Sequence, residues 1–299
     1  MSQKVAVIGL GSMGYGIAQS ALRAGLDTLG CDVNPARCDA FVAEGGNPGD
    51  LAAVAGDLDA VIVVVLNAQQ TEDVLFGADG IVPKLRSGAV VLSCATVPPE
   101  VARDLAARAA AHQVHYLDAP ISGGAGKAAS GQLSVMAGGS AEAFAAAAPV
   151  LDAIAETVFE LGDVGAGSAM KAVNQLLAGV HIATMAEALT FGLTQGVPPE
   201  KFVEVISKCA GTSWMLENRA PHIVAGDYTP HSAVNIWLKD LGIVLDIAKG
   251  DNFSAPLTAA ALQQFVAAAG QGLGGEDDAA VAKVYARNAG LTLPGDAAE

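Results

Sequence analysis

A chain of 299 residues is long enough for two domains and can bury a substantial core. Hydrophobic residues make up 52% and charged residues 16%, which excludes a disordered chain; aromatics at 5% leave the core to Ala, Val, Leu and Ile. A formal charge of −15 argues against nucleic-acid or membrane-surface partners, which need a basic footprint, although a few local cations can still hold an anionic substrate.

In chain order, short apolar runs alternate with amphipathic segments through the first half, the pattern of a parallel sheet with helices on both faces. The candidate strands are residues 5–8, 28–31, 61–66, 90–93, 114–117, 133–137 and 157–161. Helices are predicted over 17–23, 35–44 and 100–111, with Gly25 stopping the first. After Gly162 no strand is expected. A long helix is predicted over 167–192, and others start after Pro198-Pro199, near Pro230, at Pro256 and at Asp277-Asp278. The expected architecture is therefore α/β: a Rossmann-type parallel-sheet domain over residues 1–164, then an all-helical domain over 165–299, joined by the long helix. Residues 294–299 read as a loose tail.

Cys31, Cys38, Cys94 and Cys209 show no CxxC spacing and read as free thiols in a reducing cytoplasm. His112, His115, His181, His222 and His231 form no metal-ligand spacing, so no metal is expected. The longest apolar run, 61–66, is too short to span a bilayer, and no signal peptide is read at the N-terminus.

Gly9-Leu10-Gly11-Ser12-Met13-Gly14 has the G-x-G-x-x-G spacing between a strand and a helix. The first glycine allows the tight turn, the second lets backbone approach a pyrophosphate, and the third lets the helix pack on the strand. The phosphates then meet free N–H groups at the helix N-terminus. Asp32 follows Gly14 by 18 positions. A carboxylate there can accept hydrogen bonds from ribose hydroxyls and would repel a 2′-phosphate. Val33 and Asn34 supply no cation, and Arg37 lies inside the next helix. The pattern predicts NAD rather than NADP; a cap for the helix at Pro35 is a compatible second role for Asp32.

Further on, Lys171, Asn174, Gln175 and Ala178 fall within about a quarter of a helix circumference, on an otherwise apolar helix. Such a stripe faces either solvent or an internal cleft. In a cleft, a lysine can remove a proton from an alcohol during oxidation or return one to a carbonyl oxygen. Asp118-Ala119-Pro120-Ile121-Ser122-Gly123-Gly124 ends a strand in a turn of small residues. It is either an ordinary loop or a carboxylate cradle made by the Ser122 hydroxyl and the N–H groups of Gly123 and Gly124. On a later helix Ser232, Asn235, Lys239 and Gly242 share a face, and Lys239-Asp240 could form a surface ion pair of little value.

Together, Gly9–Gly14, Asp118–Gly124, Gly165-x-Gly167-x-x-x-Lys171-x-x-Asn174-Gln175 and Lys239-Asp240-Leu241-Gly242 resemble the signatures of the 3-hydroxyacid (3-hydroxyisobutyrate) dehydrogenase family, over nearly the whole chain and in order. The resemblance implies a small hydroxy-acid substrate, a homodimer or homotetramer, and Lys171 as the catalytic lysine. Ser122, Gly123 and Gly124 would bind the substrate carboxylate, with Asn174, Gln175 and Lys239 in the substrate set. Thr96 would lie near the nicotinamide ribose, and Leu66, Asn67 and Lys239 would complete the cofactor set. Members that prefer NADP carry Asn-Arg-Thr where this chain has Asp32-Val33-Asn34.

One departure is Gln175, where the family pattern has asparagine. The segments 213–219, 226–230 and Asn174-Gln175-Leu176-Leu177 look like the L-threonate dehydrogenase branch. That resemblance implies oxidation of a four-carbon sugar acid at C2, with Ser213, Asn218 and Asn235 as candidates for its extra hydroxyls. The competing readings are a reductase of a small semialdehyde or 2-oxo acid such as tartronate semialdehyde or glyoxylate, 3-hydroxyisobutyrate dehydrogenase itself, and a dinucleotide-binding regulatory protein without chemistry.

Overall fold

Five of the apolar runs pair side by side in a computed structural model, which describes residues 2–295. The tail expected over 294–299 lies outside the described residues from 296 onward. The chain divides into two units, one ending at Lys171 and the other beginning at Ala172.

The first unit runs β1 (Lys4–Ile8), α1 (Ser12–Arg23), β2 (Asp27–Cys31), α2 (Pro35–Ala43), a single turn α3 (Leu51–Val54), β3 (Ala60–Val63), α4 (Ala68–Phe76), β4 (Val90–Ser93), α5 (Pro99–Ala111) and β5 (His115–Asp118). The strands form one parallel sheet in the order β2-β1-β3-β4-β5. Val5, Val7, Ile62, Val90 and Leu92 pack on one face with Ile17 and Ala18 of α1. Ala6, Ile8, Val61, Val63 and Val91 pack on the other with Leu75 of α4 and Leu105 and Ala109 of α5. Strands covered on both faces have no polar side to show, which is why they read as continuous apolar runs. The order reverses between β1 and β3, and ligands of such sheets lie at the strands' carboxyl ends beside that switch.

The runs at 133–137 and 157–161 do not join this sheet. β6 (Ile121–Ser122), α6 (Gly124–Ser130), β7 (Leu133–Ala137), α7 (Ala141–Ile154) and β8 (Ala155–Glu160) follow, and β6-β7-β8 make a separate mixed sheet with β6 antiparallel to β7. The strand expected over 61–66 runs over Ala60–Val63, and the next carbonyl, Val64 O, lies against Gly9.

Helix α8 (Ala166–Thr194) starts in the first unit and runs on into the second, which adds α9 (Pro199–Ile206), α10 (Trp214–Ala225), α11 (Val234–Gly250), α12 (Pro256–Ala268) and α13 (Val281–Asn288). Among the described residues no strand follows β8. By length and composition α8 could cross a membrane. In the second unit its Ile182, Met185, Ala186 and Leu189 are instead buried in a protein core with Phe202, Trp237, Leu241 and Phe265.

Candidate active site

The glycine turn leaves β1 at its carboxyl end, beside the switch point. Gly9 has φ +96°, and a Cβ there would stand 2.3 Å from Val64 O. At Gly14 a Cβ would stand 1.8 Å from Gly9 O, so α1 can approach β1 this closely only with glycine. Gly11 is different: its φ is −66° and the nearest atom to a Cβ is Arg37 Nη1 at 3.8 Å. The protein's own packing does not require glycine at 11. A dinucleotide pyrophosphate laid against the N-terminus of α1 does, and α1 has no side-chain cap to compete for its first N–H groups. These residues fit NAD.

Asp32, at the end of β2, accepts from Leu10 N (2.7 Å) and from Asn34 N (2.8 Å), one bond to each carboxylate oxygen. It clamps the glycine loop and is not the cap of α2; that cap is Asn34, which accepts from Ala36 N. Arg37 corrects the expectation that no cation is near. Its side chain turns back from α2, donates to Leu10 O (2.9 Å) and lies 3.9 Å from Asp32 Oδ2. Ser12 and Met13 open α1. Asn67 caps α4 by accepting from Gln70 N, and Leu66 beside it is 61% exposed. Thr96, half-buried, follows β4 between the buried Ala95 and Val97.

Lys171 does not face bulk solvent. It is 9% exposed, and its Nζ donates to Ile121 O at 2.9 Å, in the strand that ends at Ser122. The structure thus joins the lysine to the small-residue turn. Ser122 pairs with Ser134 of β7, and Gly123 (φ +134°) and Gly124 (φ +76°) turn the chain through conformations that favour glycine.

Asp118, placed by its motif at a strand end but given no role of its own, holds this arrangement in place. It accepts from Gly165 N (3.0 Å), Ser168 N (2.8 Å) and Ser168 Oγ (2.6 Å), tying the end of β5 to the start of α8 three residues before Lys171. Burial pushes the Asp118 carboxyl above its usual range, against the pull of these donors and of the Arg103 charge. Gly167 permits the contact, since a Cβ there would meet Asp118 O at 2.6 Å. The available signal was a carboxylate at a strand end followed, in a distant segment, by a glycine-flanked helix start.

The second unit carries its own cluster. Gln175, 7% exposed, donates its Nε2 to Asp240 Oδ2 and accepts from Asn174 Nδ2 at 2.9 Å. Lys239 Nζ pairs with Asp240 Oδ1. Asp240 is 3% exposed, so the pair is not the surface contact that adjacency in sequence suggested; the carboxylate is buried between two helices of this unit. The three extra hydroxyl-binding candidates are used locally or stand apart. Ser213 caps α10 by accepting from Leu216 N, Asn218 accepts from Arg219, and Asn235 is exposed against Gly274.

Comparison with known proteins adds to this geometry. The NAD-binding domain of 6-phosphogluconate dehydrogenase matches residues 4–162, and the NAD-binding region of NADP-dependent 3-hydroxyisobutyrate dehydrogenase matches residues 165–285. An L-threonate dehydrogenase of Cupriavidus necator is 52% identical over 299 residues, covering 99% of this chain and 100% of the relative. One from Escherichia coli is 47% identical over 295 residues, covering 97% and 96%. A crystal structure of 3-hydroxyisobutyrate dehydrogenase from Salmonella typhimurium has a TM-score of 0.90 at 47% identity, covering 95% of this chain and 100% of that one.

Proposed function

The chain belongs to the 3-hydroxyisobutyrate dehydrogenase family and is an NAD-dependent hydroxyacid dehydrogenase, and from that premise we propose that it oxidises L-threonate at C2 to the 2-oxo acid. The substrate follows the names of the relatives that match the whole chain at 45–52% identity. The observation that carries the chemistry is Lys171, a buried amine bonded to the backbone of the Ser122 turn.

NAD, when bound, supplies the hydride acceptor. Gly9–Gly14 would hold its pyrophosphate and Asp32 its adenosine ribose, with Leu66, Asn67 and Thr96 flanking the rest. The Ser122 hydroxyl and the N–H groups of Gly123 and Gly124 would bind the substrate carboxylate, placing C2 beside the lysine. The C2 hydroxyl proton then passes to Lys171 Nζ as the C2–H bond breaks. The Ile121 carbonyl aims the amine, and Asp118 fixes the helix start that carries it. Asn174, one helical turn further along α8, would bind a remaining oxygen. We place the enzyme in the cytoplasm as a homodimer or homotetramer.

The test is NADH formation at mildly alkaline pH with L-threonate, D-threonate, D-erythronate, D-glycerate and 3-hydroxyisobutyrate side by side. L-threonate is expected to give the highest kcat/KM; a different best acid discards the substrate and keeps the family. Lys171→Ala should lower kcat roughly 10²- to 10⁴-fold while NADH binding stays intact. A near-normal kcat would remove Lys171 from the chemistry.

A further inference from the structure

Asn174, Gln175 and Asp240 form a chain of hydrogen bonds with one direction. A carboxylate can only accept, so Asp240 Oδ2 forces Gln175 to turn its NH₂ group inward. The Gln175 oxygen is then left facing Asn174, and Asn174 must turn its own NH₂ towards it. On the side turned away from Gln175, Asn174 then presents its oxygen, Oδ1, with one N–H of its NH₂ group left beside it. Without the carboxylate, two side-chain amides in contact could pair either way round. The other oxygen of Asp240 holds Lys239. One buried carboxylate therefore sets both a cation and an amide polarity.

We propose that Asp240 is a positioning residue that acts through Gln175, fixing Asn174 so that it presents an acceptor to a substrate hydroxyl. The role rests on the reading of the chain as a dehydrogenase of polyhydroxylated acids, and it explains what a glutamine contributes where the family pattern has asparagine. Gln175 does not read the substrate itself; its amide is spent on Asp240 and Asn174. A substrate oxygen that can donate, such as a hydroxyl beyond the oxidised carbon, is favoured at Asn174 Oδ1, whereas a methyl group is not.

The test is a selectivity ratio: kcat/KM for the best polyhydroxylated acid divided by kcat/KM for 3-hydroxyisobutyrate, which carries no further hydroxyl. In Asp240→Asn the chain can reverse, and the ratio should fall roughly 10- to 100-fold. Freeing Lys239 from its counterion changes the charge felt by both acids, each of which carries one carboxylate, so it largely cancels in the ratio. Combining Asp240→Asn with Gln175→Glu moves the carboxylate one link along the chain. Asn174 must still turn its NH₂ towards an acceptor, and the ratio should recover.

Gln175→Leu breaks the chain without touching Asp240 and should lower the ratio as Asp240→Asn does; it decides the matter if the latter does not fold, as judged by NADH binding. An unchanged ratio in the single variants, or no recovery in the double variant, overturns the proposal. A neutron structure of the parent protein gives a readout independent of turnover. Deuterons on Asn174 Nδ2 pointing at Gln175, and on Gln175 Nε2 pointing at Asp240, are expected. The reverse orientation overturns the relay even if L-threonate is the substrate. A parent that turns over none of the acids sinks the substrate reading and leaves the neutron result to decide the relay.

Discussion

Asp32 has an acidic oxygen on each of two backbone N–H groups, and Arg37 lies beside it with its guanidinium on Leu10 O. Selection of NAD then rests on the carboxylate outweighing a neighbouring cation, not on the cation's absence. Asp32→Ser removes the repulsion and leaves Arg37 able to meet a 2′-phosphate, so the NAD/NADP ratio of kcat/KM should fall roughly 10- to 100-fold. Adding Arg37→Ala should abolish the gain with NADP. An unchanged ratio in Asp32→Ser would leave the residue as a loop clamp alone. At this scale the sequence disclosed residues marked by spacing, such as the glycines and the Lys171 stripe. Arg37, Asp118 and Asp240 were harder to read, because each acts on atoms 27 or more positions away, Arg37 through a long side chain that turns back on itself. Asp240 was hidden further by its neighbour Lys239, which gave it a ready but incomplete explanation.

Three glycines in one turn have different physical causes, and mutation can separate them. At Gly14 an added Cβ meets Gly9 O at 1.8 Å, so Gly14→Ala must push α1 off β1. That overpacking should cost about 3 kcal/mol in chemical denaturation. At Gly11 the space is open and the backbone ordinary. Gly11→Ala should therefore cost under about 1 kcal/mol, as at a helix cap, while weakening NADH binding by tenfold or more in a fluorescence titration. Equal destabilisation by the two would mean that Gly11 is a packing residue. The same distinction between local signal and partner explains which elements were legible. β4 and β7 are bounded as their apolar runs predicted, yet β7 pairs with β6 and β8 and not with the main sheet. An apolar run marks a strand but does not name its neighbour. The two residues of β6 are too few to carry a period, and the Ala-rich α7 offers little contrast between its faces.

For the molecule as a whole, a core poor in aromatic residues is supplemented in the second unit by buried charge. Asp278 accepts from Arg219 Nε (2.6 Å) and Trp237 Nε1 (2.9 Å), while Asp277 accepts from His231 N (2.9 Å) and Ala279 N (3.1 Å) and bonds His222 Nδ1 (2.9 Å). These bonds tie α10, α11 and the approach to α13 together. The sequence showed Asp277-Asp278 only as a helix start, since neither Arg219 nor His222 stands near it in the chain. The two carboxylates titrate in opposite directions. Burial drives Asp278 upward despite Arg219. For Asp277, burial also works upward, but the bonds from His222 and the two backbone N–H groups outweigh it and hold the group below its usual range. A lowered native pKa means that the stabilisation is present above the unfolded value of about 4 and is lost as pH falls through the native one. Asp277→Asn should accordingly destabilise the protein by about 3 kcal/mol at neutral pH. The gap between parent and variant in urea unfolding should shrink below about pH 4, where the parent's Asp277 also takes up its proton. A gap that failed to shrink below that pH would show that Asp277 is not held below its usual range and that the His222 contact does not hold its charge.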